Sequence, residues 1–112
     1  MKLRLTSDSV RLRLSGEEAV RLAAEGCVEE TVRFGPSADQ AFTYAVEAPE
    51  GAGEAGLLWD GGRLRIVVPA HEARRLASGP PGTSIESVHP TGGGSSLRLQ
   101  IETDLPRRGK AS

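Results

Sequence analysis

Cysteine is nearly missing from this chain. Cys27 stands alone, so no disulfide can form within the chain. Aromatic residues are almost as scarce: Phe34, Phe42, Tyr44 and Trp59 complete the set. All four fall on apolar strand faces, which leaves no stacking platform for single-stranded nucleic acid. Lysine occurs only at positions 2 and 110, so arginine carries nearly all the positive charge. The formal net charge is -1, and no global field favours nucleic acid or an acidic membrane as partner. No run approaches the ~20 apolar residues of a membrane span, and no apolar signal segment follows Met1–Leu5. These absences predict a cytoplasmic protein without membrane or nucleic-acid partners.

What is present is an internal repeat. Leu3, Leu5, Val10, Leu12 and Leu14 occupy one face of two strands with period two, and Lys2, Arg4, Arg11 and Arg13 occupy the other. Ser7-Asp8-Ser9 supplies the turn between them. A shift of 54 residues brings Leu57, Trp59, Leu64, Ile66 and Val68 onto the same five apolar positions, with Arg65 in the place of Arg11. The turn is then Asp60-Gly61-Gly62.

A helix follows each hairpin. Ser15-Gly16-Glu17-Glu18 has the S-x-x-E spacing of a capping box, and Gly26 offers a left-handed stop. Pro69 takes the place of Ser15 and suits the first turn of a helix. Two strands close each unit, Val28–Phe34 and Phe42–Glu47 in the first, Thr83–Val88 and Leu97–Glu102 in the second, with a loop at 90–95. The offset between copies here is 55.

The predicted fold is therefore α+β. Two ββαββ units, 1–47 and 55–105, are joined by a linker, 48–54, into one domain of 1–105, with a flexible tail at 106–112. The 38% hydrophobic content is enough for a packed core, but a single unit is too small to stand alone, so the copies must share one core. A helix is about 10 Å wide and strands are about 4.8 Å apart, so two short helices cannot cover eight strands. The pattern predicts one antiparallel sheet, barrel-like or split into a sandwich, with a pseudo-two-fold axis. The expected core is Leu3, Leu5, Val10, Leu12, Leu14, Leu22, Val32, Phe34, Phe42, Tyr44, Val46, Leu57, Trp59, Leu64, Ile66, Val68, Leu76, Leu97, Leu99 and Ile101.

The run Met1-Lys2-Leu3-Arg4-Leu5, then Ser9-Val10-Arg11-Leu12-Arg13-Leu14-Ser15, then Glu18, resembles the start of a family of short uncharacterised bacterial proteins, a domain of unknown function. The likeness continues through Val28-Glu29-Glu30 and Phe42-Thr43-Tyr44. It implies a bacterial source and no particular activity. Around Asp104 the family pattern calls for a lysine and an aromatic, where this chain has Thr103 and Leu105.

Chemistry is sparse. His71, His89 and Cys27 have no zinc-ligand spacing, so neither metal nor cofactor is expected. Gly92-Gly93-Gly94-Ser95 lacks the spacing of a phosphate loop. Glu29 and Glu30 are adjacent on a strand, point to opposite faces, and cannot act as a carboxylate pair. The remaining candidate is the arginine-rich strand face. Lys2, Arg4, Arg11, Arg13 and Arg65 form a candidate anion site, because a guanidinium donates two hydrogen bonds to one phosphate. The bland alternative is a solvated face with cross-strand arginine–glutamate pairs. Turned inward, such a face would be similar to that of the triphosphate-tunnel enzymes, but their E-x-E-x-K signature is missing. The residues thus predict a non-catalytic interaction or assembly module with a protein partner or a second copy. The alternative is a binder, or less readily a hydrolase, of phosphorylated small molecules or polyphosphate. The departures between copies (Lys2 and Arg4 against Gly56 and Leu58) direct attention to the first hairpin.

Overall fold

The computed structural model describes residues 1–104; the predicted tail, 106–112, and Leu105 lie outside the described residues. The order is β1 (Lys2–Leu5), β2 (Ser9–Leu14), α1 (Gly16–Glu25), β3 (Cys27–Arg33), β4 (Ala41–Glu47), β5 (Gly56–Asp60), β6 (Arg63–Val67), α2 (Ala70–Ser78), β7 (Ser84–Gly92) and β8 (Ser95–Thr103). The duplicated strand–strand–helix–strand–strand order is what the repeat predicts.

Local chemistry accounts for the breaks. Thr6 N–H donates to the Ser9 carbonyl at 3.0 Å and closes the first hairpin. Gly61 and Gly62, at φ 51° and 88°, make the second turn in a conformation that side chains resist. The capping box is complete: Ser15 Oγ accepts from the Glu18 amide at 3.1 Å, and Glu18 Oε1 accepts from the Ser15 amide at 2.8 Å. Gly26 stops α1 at φ 84°. Pro69 sits one position earlier than expected, as the extended N-cap of α2, with no side-chain bond to the helix. The predicted loop at 90–95 is shorter in the structure. Strand β7 runs on through Pro90 to a bulge before Gly92. An edge strand tolerates this, because Pro90 needs no ladder hydrogen bond on its open side.

The eight strands form two four-stranded sheets, ordered β1-β2-β8-β7 and β3-β4-β6-β5. Each copy gives one hairpin to each sheet, and α1 and α2 are the crossovers. The expectation of a wholly antiparallel sheet is corrected at the centre of each sheet, where β2 pairs with β8 and β4 with β6 in parallel. The inner strands of both sheets run toward the helices and the outer strands run away. The pseudo-two-fold axis exchanges the sheets and so makes both junctions parallel. Among the described residues the two sheets do not close into a barrel. The sheet edges are tied by side chains: the Leu57 amide donates to His89 Nδ1 at 3.3 Å between β5 and β7, and Tyr44 Oη donates to the Met1 carbonyl at 3.3 Å on the other seam.

One core joins both sheets and both helices. Leu12, Leu14, Leu22, Val46, Ile66, Val68, Leu76, Leu99 and Ile101 are fully buried. Arginines point outward, as the alternation predicts. Of the expected core, Leu3, Phe42, Tyr44, Leu57 and Leu97 are only half-buried, and four members are exposed. Leu5, Val32, Phe34 and Trp59 remain 54%, 42%, 73% and 64% exposed. They lie on the inner faces, but at the end where the helices do not reach. The crossover helices follow Leu14 and Val67 and cap the opposite end alone.

Candidate functional site

Two surfaces stand out. The first is the outer face of the β1–β2 hairpin. Lys2 lies opposite Arg13, and Arg4 opposite Arg11, so like charges face each other across the ladder. They surround a depression of about 300 Å³ lined by Lys2, Leu3, Arg4, Arg11 and Arg13. Glu102 of β8 partly neutralises them. Its carboxylate lies 2.7 Å from Arg11 and 3.2 Å from Arg13. The structure brings four of the five candidate anion ligands together and separates the fifth. Arg65 is on the other sheet, where it donates to both oxygens of Glu47, at 2.8 Å from Nη2 to Oε1 and 3.2 Å from Nε to Oε2. That face is balanced, with Arg63 bonded at 2.6 Å to Glu29. Its counterparts of Lys2 and Arg4 are Gly56 and Leu58.

The second surface is a cleft of about 690 Å³ between the sheets at the end opposite the helices. Leu5, Val10 and Leu97 form one wall, and Phe42, Leu57, Trp59 and Leu64 the other. Thr6, Ser7, His89, Pro90 and Thr91 surround them. Volume and lining match a small-molecule pocket, which is mostly apolar and typically ~300–1,000 Å³. The cleft straddles the pseudo-two-fold axis: Leu5 is the counterpart of Trp59, Val10 of Leu64, and Phe42 of Leu97. Phe42 lies 5.9 Å from Tyr44 at 26° and 6.1 Å from Trp59 at 33°, centroid to centroid. The three rings make a shelf on the inner face of one sheet. Sequence alternation assigns these residues to the apolar face but does not say that part of that face is uncovered.

Three other groups have structural explanations. Glu30 points inward, on the face opposite Glu29 as the alternation predicts, and accepts from Tyr44 Oη at 3.1 Å. The Met1 ammonium lies 2.7 Å from Glu18 and 3.5 Å from Glu30. Burial pushes the Glu18 carboxyl up, but the hydrogen bonds from the ammonium and the Ser15 amide outweigh it and hold the carboxyl below its ordinary range. Burial also works against the ammonium, yet Glu18 and Glu30 raise it above its ordinary value. For Cys27, burial and then the charges of Glu47 and Glu29 push the thiol up, away from the reactive thiolate. Among the described residues there is no group of three or more His, Cys, Asp or Glu placed to hold a metal ion, and no helix is long and apolar enough to cross a membrane.

The architecture defines a duplicated α+β domain with two mixed sheets and an open apolar cleft at the junction of its halves. The chain matches a family of unknown function, DUF7009, over residues 1–106 and belongs to it. No curated protein and no solved structure matches the chain.

Proposed function

We propose that the protein is a small non-catalytic interaction module that holds its ligand in the cleft between the sheets. One observation carries the reading: the chain's only tryptophan, Trp59, sits 64% exposed on the inner face of a sheet, beside a cleft built from both copies. Exposed apolar area of this kind mostly marks a binding surface. A site at the junction is also what a duplicated scaffold favours. Trp59 is its own reporter. Titration with N-phenyl-1-naphthylamine, a flat apolar fluorophore, is expected to quench Trp59 and brighten the probe at one molecule per chain. A folded protein that leaves both emissions unchanged sinks the reading. We further read the protein as bacterial and cytoplasmic, from the resemblance at Met1–Ser15 and the single cysteine.

A second reading has its own support. The clustered cations of the first hairpin, Lys2 and Arg4 with Arg11 and Arg13, suit a phosphorylated small molecule or polyphosphate. Glu102 already occupies two of them, and Arg65 takes no part. Melting curves with ATP and polyphosphate test it, because a ligand selective for the folded state raises the midpoint. A rise that persists in Arg4→Ser rules this surface out.

A further inference from the structure

We infer that the cleft takes a neutral, flat, largely apolar molecule that carries a hydrogen-bond acceptor at one end. This rests on the reading of the cleft as the binding site and goes further, to the chemistry of the occupant.

Three features of the lining lead there. First, among the described residues no Asp, Glu, Lys or Arg lines the cleft. A charged group drawn into it would lose water without meeting an opposite charge, a cost that uncharged ligands escape. Second, the walls differ. Trp59 and Phe42 present rings on one side, while Leu5, Val10 and Leu97 present aliphatic groups on the other. A planar ring system fits between a face of rings and a face of methyl groups, as offset stacking on one side and dispersion contact on the other. Third, the polar groups include fixed donor capacity. His89 Nδ1 accepts the Leu57 amide at 3.3 Å, so the neutral ring carries its proton on Nε2 as a donor. The copies diverge here. His89 stands where the first copy has Val32, each opposite the matching residue of its neighbour strand, Leu97 and Phe42, and Trp59 stands where the first copy has Leu5. The second copy therefore supplies both the large ring and the donor, and gives an otherwise symmetric cleft a direction.

The test uses the full chain and three probes: 6-propionyl-2-(dimethylamino)naphthalene, which is neutral and has a carbonyl; N-phenyl-1-naphthylamine, which has none; and decanoate, which is charged. The carbonyl probe is expected to bind one per chain, take energy from Trp59, and resist displacement by decanoate. Leu5→Glu, at a half-exposed position, is expected to abolish binding of both naphthyl probes with only a small change in the melting temperature. His89→Phe is expected to weaken the carbonyl probe by about tenfold, equivalent to about 1.4 kcal/mol, and to leave N-phenyl-1-naphthylamine unchanged. If decanoate competes at equal strength, or His89→Phe weakens both probes alike, the ligand class is overturned while the cleft remains the binding site. If neither naphthyl probe binds the folded protein, cleft and ligand class both fall. Dimerisation in light scattering that Leu5→Glu abolishes and no probe disperses would assign the cleft to a second copy and overturn the proposal.

Discussion

Arg11 reaches diagonally across a parallel strand junction to Glu102, with Nη2 2.7 Å from Oε1. The pair has a twin. Arg65 is Arg11 shifted by 54, Glu47 is Glu102 shifted back by 55, and the twin closes at 2.8 Å across the other parallel junction. Each pair joins one copy of the repeat to the other. Their surroundings differ, because Glu102 also faces Arg13, with Lys2 and Arg4 behind, whereas Glu47 sits on a balanced face. Glu102→Gln is therefore expected to lower stability by about 1 kcal/mol, the upper range for a partly exposed pair. Glu47→Gln should cost less. Urea denaturation at low and at high salt checks this, because screening should shrink the difference.

The ion pair between Met1 and Glu18 predicts a defined pH window. Glu18 is held below its ordinary value of 4.5, so its contribution is complete above that pH and fades as the pH falls through the lower folded value. The Met1 ammonium is held above its ordinary 8.0, so its contribution is complete below that pH and fades as the pH rises through the higher folded value. The stability difference between wild type and Glu18→Gln should therefore be flat from about pH 5 to 8 and shrink on both sides. The glutamine keeps the reach to the Ser15 amide, so the comparison isolates the charge. Urea midpoints measured across pH decide it, and a difference that does not vary with pH contradicts the assignment.

Cys27 should be slow to react. Burial and the neighbouring Glu47 and Glu29 raise its pKa, so at pH 8 it carries less thiolate than a free cysteine, and thiolate is the nucleophile. Reaction with a disulfide reagent at pH 8 is expected to run several-fold slower than with glutathione. Removing both carboxylates with Glu29→Gln and Glu47→Gln should speed it up, because the charge contribution disappears while burial remains.

The duplication, the two hairpins, both helices and the face of nearly every strand residue are legible in the sequence. Period-two alternation reports which side of a sheet a residue faces, and the capping box and Gly26 report where α1 begins and ends. Alternation does not report height along the sandwich. Leu5 and Leu12 look alike in the pattern, yet Leu5 is 54% exposed and Leu12 is fully buried, because only one end is capped by helices. The parallel pairing of β2 with β8 is equally invisible, since it depends on contact between residues about 90 positions apart, with no local turn to set it. The candidate anion site was half legible. The alternation gave the outward face, but only the fold separates Arg65 from the other four and brings Glu102 among them. The cleft was not legible: the departures between copies pointed to the first hairpin, and only the fold shows that the inner faces stay uncovered at the open end.

The contrast between mouth and core gives the most direct test of the architecture. Leu5 and Trp59 occupy the same pattern positions as core residues, but at the open end of the sandwich. Leu5→Ser and Trp59→Ser should each cost under about 1 kcal/mol, because little apolar area returns to water when a side chain is already more than half exposed. Leu12→Ala and Ile66→Ala, at fully buried positions on the same sheets, should each cost about 2–5 kcal/mol through lost burial and the cavity left behind. Urea denaturation of the four variants separates the alternatives. If Leu5→Ser and Trp59→Ser destabilise as much as the core pair, the sheets close over them in solution and no cleft is open there. If they are tolerated, those apolar side chains are free for a ligand, and the same two variants become the binding-deficient controls for the fluorescence titrations.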